Sequence, residues 1–408
     1  MPSTARRNLA LFTLALGGFG IGTTEFVTMG LLPQIAEELV PGFGSDPTGG
    51  IAQAGWFVTA YALGVVVGAP VTAVITARLS QRRLVLILAA ALALANLASA
   101  LMPDFALTAL ARFVAGLPHG AYFGVASLLA ARLMGPGRQG AGVAIALSGL
   151  TVANVVGVPL GTWLGQEAGW RWAYAAVAAI FVVTLVLALR TIPAVPGNPD
   201  RHPMKELSAF RNPRLWLMLA VGAIGFGGFF AVYSYIAEVA TRTAGLSEPV
   251  VPWVLATLGV GMVIGNVLGG WASDRDLART VIIGFTSMST AMALYALLGG
   301  SGLLLFPLVF AIGITSSSLI PSIQARIIDI AGEAELLGAA LNHAAFNVGN
   351  SLGAWLGGLV IAGGLGYLAP GWVGVALALA GGVLALVSIR LDRSRPGATE
   401  PEAQAVRA

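Results

Sequence analysis

Two charged side chains lie inside stretches that are otherwise apolar. Glu25 stands in LALFTLALGGFGIGTTEFVTMGLL, residues 9–32, and Arg112 begins RFVAGLPHGAYFG in a later apolar stretch. A charge at the centre of a bilayer costs about 2.5–3.5 kcal/mol on insertion scales, so such residues usually face a cavity or a partner. A carboxylate in a partly dry cavity can gain and lose a proton as its surroundings change. We therefore predict that Glu25 and Arg112 serve proton coupling; the alternative is that Glu25 caps a helix or only pairs with Arg112.

The composition places these charges in a membrane protein. The chain has 408 residues, of which 57% are hydrophobic and 10% charged, whereas soluble domains carry about 25% charged residues. Cys is absent, which excludes disulfides and thiolate chemistry. The first apolar run is too long for a cleaved signal peptide and lacks a small-residue cleavage site, so we predict that it is retained as a transmembrane helix.

Twelve apolar segments are long enough to cross a bilayer as helices, which takes about 20 residues. They are predicted at residues 9–32, 54–77, 83–102, 105–131, 139–165, 171–190, 214–239, 250–273, 278–299, 302–325, 337–361 and 371–390. The strands of a membrane barrel would be shorter and would alternate in polarity. The sequence therefore predicts an all-α membrane protein with twelve transmembrane helices.

The basic residues predict the orientation of these helices. With the N-terminus inside, all but Arg112, Arg171 and Arg242 of the 22 Lys and Arg residues fall on the cytoplasmic side, as expected for cytoplasmic loops. Both termini are predicted to be cytoplasmic, in a bacterial-type inner (plasma) membrane. Because the basic residues occupy short loops and form no continuous patch, the net charge of +4 does not indicate nucleic-acid binding.

Glu25 and Arg112 are predicted to lie at similar depth in the membrane. Glu25 stands about seven residues before the end of the first predicted span, and Arg112 about seven after the start of the fourth. At 1.5 Å per residue, both lie ~10 Å below the external surface.

A Pro-rich basic connection, TIPAVPGNPDRHPMKELSAFRNP, divides the chain into six spans and six. We predict an N-terminal bundle at residues 1–190, a cytoplasmic linker at 191–213 and a C-terminal bundle with a short cytoplasmic tail at 214–408. Internal repeats support this division. An offset of 197 residues aligns Trp56 with Trp253 and Gly64 with Gly261, and LGTWLG at 160–165 returns as LGAWLG at 352–357. The two bundles are therefore predicted to be pseudo-symmetric.

Other polar and aromatic residues on these helices are candidates for a substrate cavity. His119 lies seven residues after Arg112 and so on about the same helix face; it could hydrogen-bond substrate, relay protons or simply bond a backbone carbonyl. His343, Asn347 and Asn350 form one polar stripe, which could line the pathway or join helices. Aromatic rings suit amphipathic aromatic substrates, and ordinary packing or lipid contact is the alternative. The candidate cavity residues are Phe26, His119, Asn154, Phe226, Phe230, Tyr233, His343 and Asn347.

The sequence resembles the major facilitator superfamily, and more closely its 12-spanning drug:proton antiporter branch. The opening GTTEFVTMGLLPQIAEEL resembles the first helix of bacterial arabinose-efflux-like and chloramphenicol-resistance exporters, and RFVAGLPHGAYFG and GLTVANVVGVPLGTWLG look like the same branch. The resemblance covers essentially the whole chain. It implies that the first and fourth helices line a central cavity, so that Glu25 and Arg112 could approach each other.

The resemblance also implies two structural motifs. In this family a loop pattern G-x-x-x-D-R-x-G-R-R forms a conformational latch on the cytoplasmic side, and each half of this chain resembles part of it. In the first half Ala77 occupies the position equivalent to Asp274 of the second half, so the first-half latch lacks its carboxylate. The implied latch residues are Asp274, Arg275, Arg82 and Arg83. The fifth helix of antiporters carries a kink, which Gly157, Pro159 and Gly161 resemble although Val158 interrupts the usual Gly-Pro pair.

These observations predict a secondary transporter that exports small amphipathic, drug-like compounds of the chloramphenicol type, by proton antiport and alternating access. The sequence contains no phosphate-binding glycine loop, so direct use of ATP is not predicted. The predicted partners are the lipid bilayer, a small-molecule substrate and protons, with no cofactor, no metal and no nucleic acid, and the protein is predicted to be a monomer. With three His residues and no nucleophile constellation, no enzyme activity is predicted. The alternatives are a sugar or nucleoside metabolite exporter and a transporter-like membrane sensor.

Overall fold

The computed structural model describes residues 4–76, 79–135, 138–193, 211–331 and 335–393, and these ranges contain helices and no strand. Twelve helical spans in them are long and apolar enough to cross a membrane, which confirms the predicted fold class. The spans, numbered here in chain order, are α1 (Thr4–Gly30), α2 (Pro47–Ala54 and Trp56–Thr76), α3 (Gln81–Leu101), α4 (Phe105–Gly116 and His119–Met134), α5 (Gln139–Val152, Ala153–Gly157 and Val158–Ala168), α6 (Trp170–Thr191), α7 (Pro213–Tyr233, Ile236–Glu238 and Val239–Thr243), α8 (Val251–Ser273), α9 (Leu277–Leu298), α10 (Gly302–Ser317 and Ile320–Ala331), α11 (Glu335–Ala362) and α12 (Ala369–Arg393).

Some boundaries differ from the predicted ones because local capping extends or interrupts the helices. α2 begins earlier than predicted, at Pro47, where the carboxylate of Asp46 accepts the backbone N–H of Gly49 at 2.9 Å. An Asp cap followed by Pro is a strong start signal for a helix. α4 is interrupted beside Pro118, where the sequence indicates a local irregularity, because Pro lacks the N–H that would continue the backbone hydrogen bonds.

The predicted linker lies mostly outside the described residues. α6 ends at Thr191 and α7 begins at Pro213, and residues 194–210 between them are not described. The domain boundaries therefore stay a prediction.

Pseudo-symmetry is visible in the contacts between helices. α2 and α4 approach so closely that a side chain at Gly64 would meet the backbone of Phe113 and Gly116. Adding the 197-residue offset to these three residue numbers gives Gly261, Phe310 and Gly313. These residues make the equivalent contact between α8 and α10. The repeat seen in the sequence therefore relates contact partners as well as single residues.

The second sequence repeat also corresponds to equivalent contacts. Gly161 of α5 faces Val27 of α1, and Gly353 of α11, its counterpart in LGAWLG, faces Ala231 of α7. Small residues at such positions let membrane helices pack closely. α1 with α5 and α7 with α11 are therefore equivalent pairs in the two bundles.

The two bundles touch on the side opposite the beginning of α1 and the end of α12, which is the predicted external side. Glu248, before α8, accepts hydrogen bonds from Gln34 at 3.3 Å and, through its backbone carbonyl, from Gln166 at 2.9 Å. α8 packs on α5 at Gly259, but Asn266, two turns further along the same face, is exposed. The structure is thus closed on the predicted external side.

Candidate functional site

Glu25 lies where α1 meets α11, and only 5% of its surface is exposed. α1 is buried on every side from Gly20 to Gly30, so the carboxylate faces protein. Its Oε1 accepts a hydrogen bond from the side-chain amide of Asn350 at 3.4 Å, and its Oε2 lies 4.0 Å from Nδ1 of His119. The predicted proton-coupling carboxylate therefore sits between the two bundles.

His119 connects Glu25 to a cluster of rings. It begins the second segment of α4, and its Nδ1 lies 3.1 Å from the hydroxyl of Tyr61. Its ring centroid is 5.9 Å from that of His343, which stacks on Phe123 at 4.9 Å. Two of the predicted cavity residues, His119 of α4 and His343 of α11, thus meet across the bundle interface.

Arg112 approaches α1 as expected, but it binds the helix on both sides of Glu25 rather than the carboxylate. Its guanidinium donates to the hydroxyl of Thr24 at 2.9 Å, to the carbonyl of Thr24 at 2.8 Å and to the hydroxyl of Thr28 at 3.2 Å. No ion pair forms between Arg112 and Glu25, both of which are described. The arrangement therefore lets Arg112 position the carboxylate without neutralising it directly.

Further partners of Arg112 escaped the sequence reasoning. The guanidinium lies over the rings of Tyr61, at 4.4 Å, and Tyr174, at 4.9 Å, a favourable geometry for a cation. Thr24 in turn donates to the side-chain carbonyl of Asn96 on α3. The signal for Asn96 is its position as a polar residue within the apolar stretch LALANLASA, but nothing in that pattern identifies its partner.

The predicted aromatic cavity residues form one cluster that joins α1 to α7. The ring centroid of Phe26, which follows Glu25, lies 6.3 Å from that of Phe230 and 5.4 Å from that of Tyr233. Phe226 lies 6.1 Å from Phe230. All four rings are buried. The aromatic surface therefore lies beside the carboxylate and between the two bundles.

Asn154 and Asn347 are each 3% exposed and bond mainly to their own helices. Their amide groups donate to Leu150 O at 3.0 Å and to His343 O at 3.1 Å, respectively. The side-chain carbonyl of each lacks a hydrogen-bond partner. Since buried polar atoms are nearly always paired, these two oxygens are available to a ligand that donates hydrogen bonds.

The ionisable cluster has no equivalent in the second half. The 197-residue offset carries Arg112 to Val309 and His119 to Ser316. A further buried charge, Glu238 on α7, is unrelated to it and pairs with Arg242 at 2.7 Å. The two bundles thus share a frame, but the second has no counterpart of Glu25, Arg112 or His119 at the equivalent positions.

The predicted latch residues are not joined to one another here. Arg275 lies over the ring of Trp271, and Arg82 donates to the carbonyl of Leu189 at 2.7 Å. Within the described ranges, none of the residues implied as a latch forms an ion pair; they are Asp274, Arg275, Arg82 and Arg83. Ala77 lies outside the described residues, and the latch stays a prediction.

The implied kink of α5 takes the form of a wide turn rather than a break. Residues Ala153–Gly157 form a π-helical turn, after which α-helix resumes at Val158. Pro159 lacks an N–H, so the preceding turn loses one of its regular hydrogen bonds, and single π turns accommodate such a loss. Gly157 and Gly161, on either side of Pro159, lie against α1.

Comparisons with known proteins agree over almost the whole chain. The family model of the Major Facilitator Superfamily matches residues 14–241 and 234–408. "Inner membrane transport protein YdhP" of Escherichia coli (strain K12) is 36% identical, covering 95% of this chain and 97% of that protein. "Chloramphenicol resistance protein" of Streptomyces lividans is 33% identical, covering 91% and 94%.

Solved structures support the fold. A bacterial homologue of the human lysosomal transporter Spinster, in an inward-facing and unoccupied conformation, matches with a TM-score of 0.73 at 16% identity, covering 97% of this chain and 100% of that one. The twelve spans, the family model and relatives of this identity together show that this chain is a multi-pass inner-membrane transporter of the Major Facilitator Superfamily.

Proposed function

We propose that this transporter exports small amphipathic compounds in exchange for protons, by alternating access of a site between its two bundles. The observation that carries the proposal is the location of Glu25, a buried carboxylate whose hydrogen-bond partner, Asn350, belongs to the other bundle. When the bundles move apart on the predicted external side, which is closed in this structure, water would reach the carboxylate and that partner would be lost. The affinity of Glu25 for a proton must then differ between the two facing states.

Exchange requires that bound proton and bound substrate compete, or that each favours a different facing state. The aromatic cluster beside Glu25 supports competition, because a substrate seated on Phe26 and Phe230 would lie next to the carboxylate. It also supports an amphipathic substrate with an aromatic or apolar part. The similarity to the Streptomyces lividans "Chloramphenicol resistance protein" favours drug-like compounds of that type.

One observation favours the second candidate, a sugar or nucleoside exporter. The unpartnered side-chain oxygens of Asn154 and Asn347 would accept hydrogen bonds from hydroxyl groups. Such groups are abundant on sugars and nucleosides and few on most drugs. The two candidates differ in substrate, and both are compatible with proton coupling at Glu25.

The test uses purified protein in proteoliposomes with an imposed pH gradient, and labelled chloramphenicol, arabinose and uridine as probes. Glu25→Gln keeps the size of the side chain and its contact with Asn350 but removes the titratable group. We expect its gradient-driven transport to fall to background while the protein remains monodisperse. Full gradient-driven transport by Glu25→Gln would refute the proposal, and binding of the probes by wild type without transport would favour the membrane sensor.

Glu38→Gln is the matched control. The substitution is again Glu to Gln, but Glu38 is half exposed at the surface, where it pairs with Arg171. Exposed ion pairs contribute at most about 1 kcal/mol, so transport by this variant should equal that of wild type.

A further inference from the structure

Asn350 makes the hydrogen bond that ties the carboxylate of Glu25 to the second bundle. Its side chain is fully buried in α11, and its amide nitrogen lies 3.4 Å from Oε1 of Glu25. The next residue, Ser351, donates to the backbone carbonyl of Thr59 on α2 at 3.2 Å. α11 therefore holds α1 and α2 of the first bundle through two adjacent side chains.

No other described group donates a hydrogen bond to the carboxylate. The ionisable groups that face Glu25 come from three helices: Tyr61 of α2, Arg112 and His119 of α4, and Tyr233 of α7. None of these groups makes a hydrogen bond to the carboxylate. Arg112 bonds α1, and Nδ1 of His119, 4.0 Å from Oε2 of Glu25, meets the hydroxyl of Tyr61. The ring of Tyr233 packs on Phe26.

The strength of the Asn350 bond depends on whether Glu25 carries a proton. A hydrogen bond to an ionised carboxylate is roughly twice as strong as one between neutral groups. When Glu25 is protonated, only a neutral bond to the amide remains. Opening the predicted external side separates α11 from α1, so opening must break this bond. The free-energy cost of opening is therefore highest when Glu25 is unprotonated and no substrate replaces the contact.

An exchanger needs that restriction. If the empty, unprotonated carrier could change its facing state, it would return outward after releasing a proton inside, and protons would cross without substrate. We propose that Asn350 is the positioning residue that prevents this leak, by holding the unprotonated Glu25 and thereby keeping the empty carrier closed on the predicted external side. This inference rests on the proposed proton coupling at Glu25.

The experiment needs no transported substrate. Asn350→Ala is reconstituted in proteoliposomes that contain a pH-sensitive dye, with the membrane potential clamped by potassium and valinomycin, and a pH gradient is imposed. We expect proton entry without substrate about tenfold or more faster than in wild type, from loss of a bond to a charged group. Asn350→Leu, similar in shape but without a donor, should leak equally and serves if Asn350→Ala does not fold.

Two controls separate this inference from general loosening of the interface. Ser351→Ala removes a neutral bond between the same two bundles, from α11 to α2, so its leak should be smaller than that of Asn350→Ala. The double variant Glu25→Gln/Asn350→Ala should not leak, because it has no group at position 25 that can carry the proton. Wild-type proton entry in both Asn350 variants, an equal leak in Ser351→Ala, or a leak that survives Glu25→Gln would each overturn the inference.

The two proposals fail in different ways. If Glu25→Gln retains gradient-driven chloramphenicol transport, the proposed function fails. If Glu25→Gln is inactive and the Asn350 variants do not leak, proton coupling at Glu25 stands and only the role of Asn350 is wrong.

Discussion

Replacing Gly64 by Ala is expected to disrupt the proposed proton site through the contact between α2 and α4. The new methyl carbon would lie 3.0 Å from the carbonyl carbon of Phe113, 3.1 Å from the Cα of Gly116, and closer still to the carbonyl oxygen of Phe113. All three are backbone atoms and cannot rotate away. The two helices must therefore separate.

The size of the effect follows from these distances. Carbon atoms in contact lie about 3.5–4.0 Å apart, so the two carbon contacts alone require the helices to move by about 0.5–1 Å, and the closer carbonyl oxygen requires more. Such overpacking typically costs about 1–3 kcal/mol. α2 carries Tyr61 and α4 carries His119, whose hydroxyl and Nδ1 are 3.1 Å apart. A separation of this size lengthens that contact beyond the range of a hydrogen bond. The surroundings of Glu25 change as a result.

The pseudo-symmetry of the protein supplies a matched control. Gly261→Ala places a methyl carbon 2.5 Å from the carbonyl oxygen of Phe310 and 3.3 Å from the Cα of Gly313, so it also forces its two helices apart, by a smaller distance than Gly64→Ala. The residues that correspond to Tyr61 and His119 there are Leu258 and Ser316, which belong to no ionisable cluster.

The assay measures two quantities for each variant: thermal unfolding in detergent and gradient-driven chloramphenicol transport in proteoliposomes. We expect a loss of stability in both variants, larger in Gly64→Ala, and a loss of coupled transport of about tenfold or more in Gly64→Ala alone. Equal loss of transport in both would mean that packing, and not the proton site, limits turnover. Full transport by Gly64→Ala would refute the link between this contact and Glu25.

Two further variants each test the contacts made by one buried side chain. Arg112→Lys keeps the charge but cannot reproduce both bonds to Thr24 or the overlap with the aromatic rings, so gradient-driven transport in proteoliposomes should slow by about tenfold or more; an unchanged rate would make Arg112 a packing residue. Tyr235→Phe removes the buried 2.7 Å bond from the tyrosine hydroxyl to the carbonyl of Ala354. This should lower the free energy of unfolding by about 1–3 kcal/mol. Chemical unfolding in detergent measures the change, and an unchanged midpoint would contradict the prediction.

The spans were predictable from the sequence because hydrocarbon imposes long apolar helices. The helix pairs could be anticipated in part, since the glycines of the repeated sequences mark close approaches such as Gly64 and Gly261. The depth argument brought Glu25 near Arg112 because both positions are counted from the ends of their spans. These features depend on the distance along one helix or on a repeated pattern.

The partners of the charges were not predictable in the same way. Sequence reasoning placed Arg112 near Glu25 and left an ion pair between them as an alternative, whereas the guanidinium bonds Thr24 and Thr28. Which atoms meet depends on the rotation of each helix about its own axis and on the interruption of α4 at Pro118, and an almost wholly apolar helix carries little amphipathic signal for that rotation. Asn350 was recognisable as one residue of a polar stripe, but its contact with α1 requires the relative position of the two bundles.

The distribution of partners around Glu25 limits what can couple it to movement. Tyr61, Arg112 and His119 belong to the same bundle as Glu25, so they move with it and contribute similarly to its proton affinity in both facing states. A ligand or proton can shift an equilibrium only by its differential free energy between the two states. That difference must therefore arise from water access and from the contacts made by the second bundle. These contacts include Asn350 on the carboxylate, Tyr233 on the neighbouring Phe26 and His343 beside His119. If all partners of a carboxylate lay in one bundle, no contact with the other bundle could change its proton affinity between the two facing states. This is the physical reason for placing the proposed proton site at the interface of the two bundles.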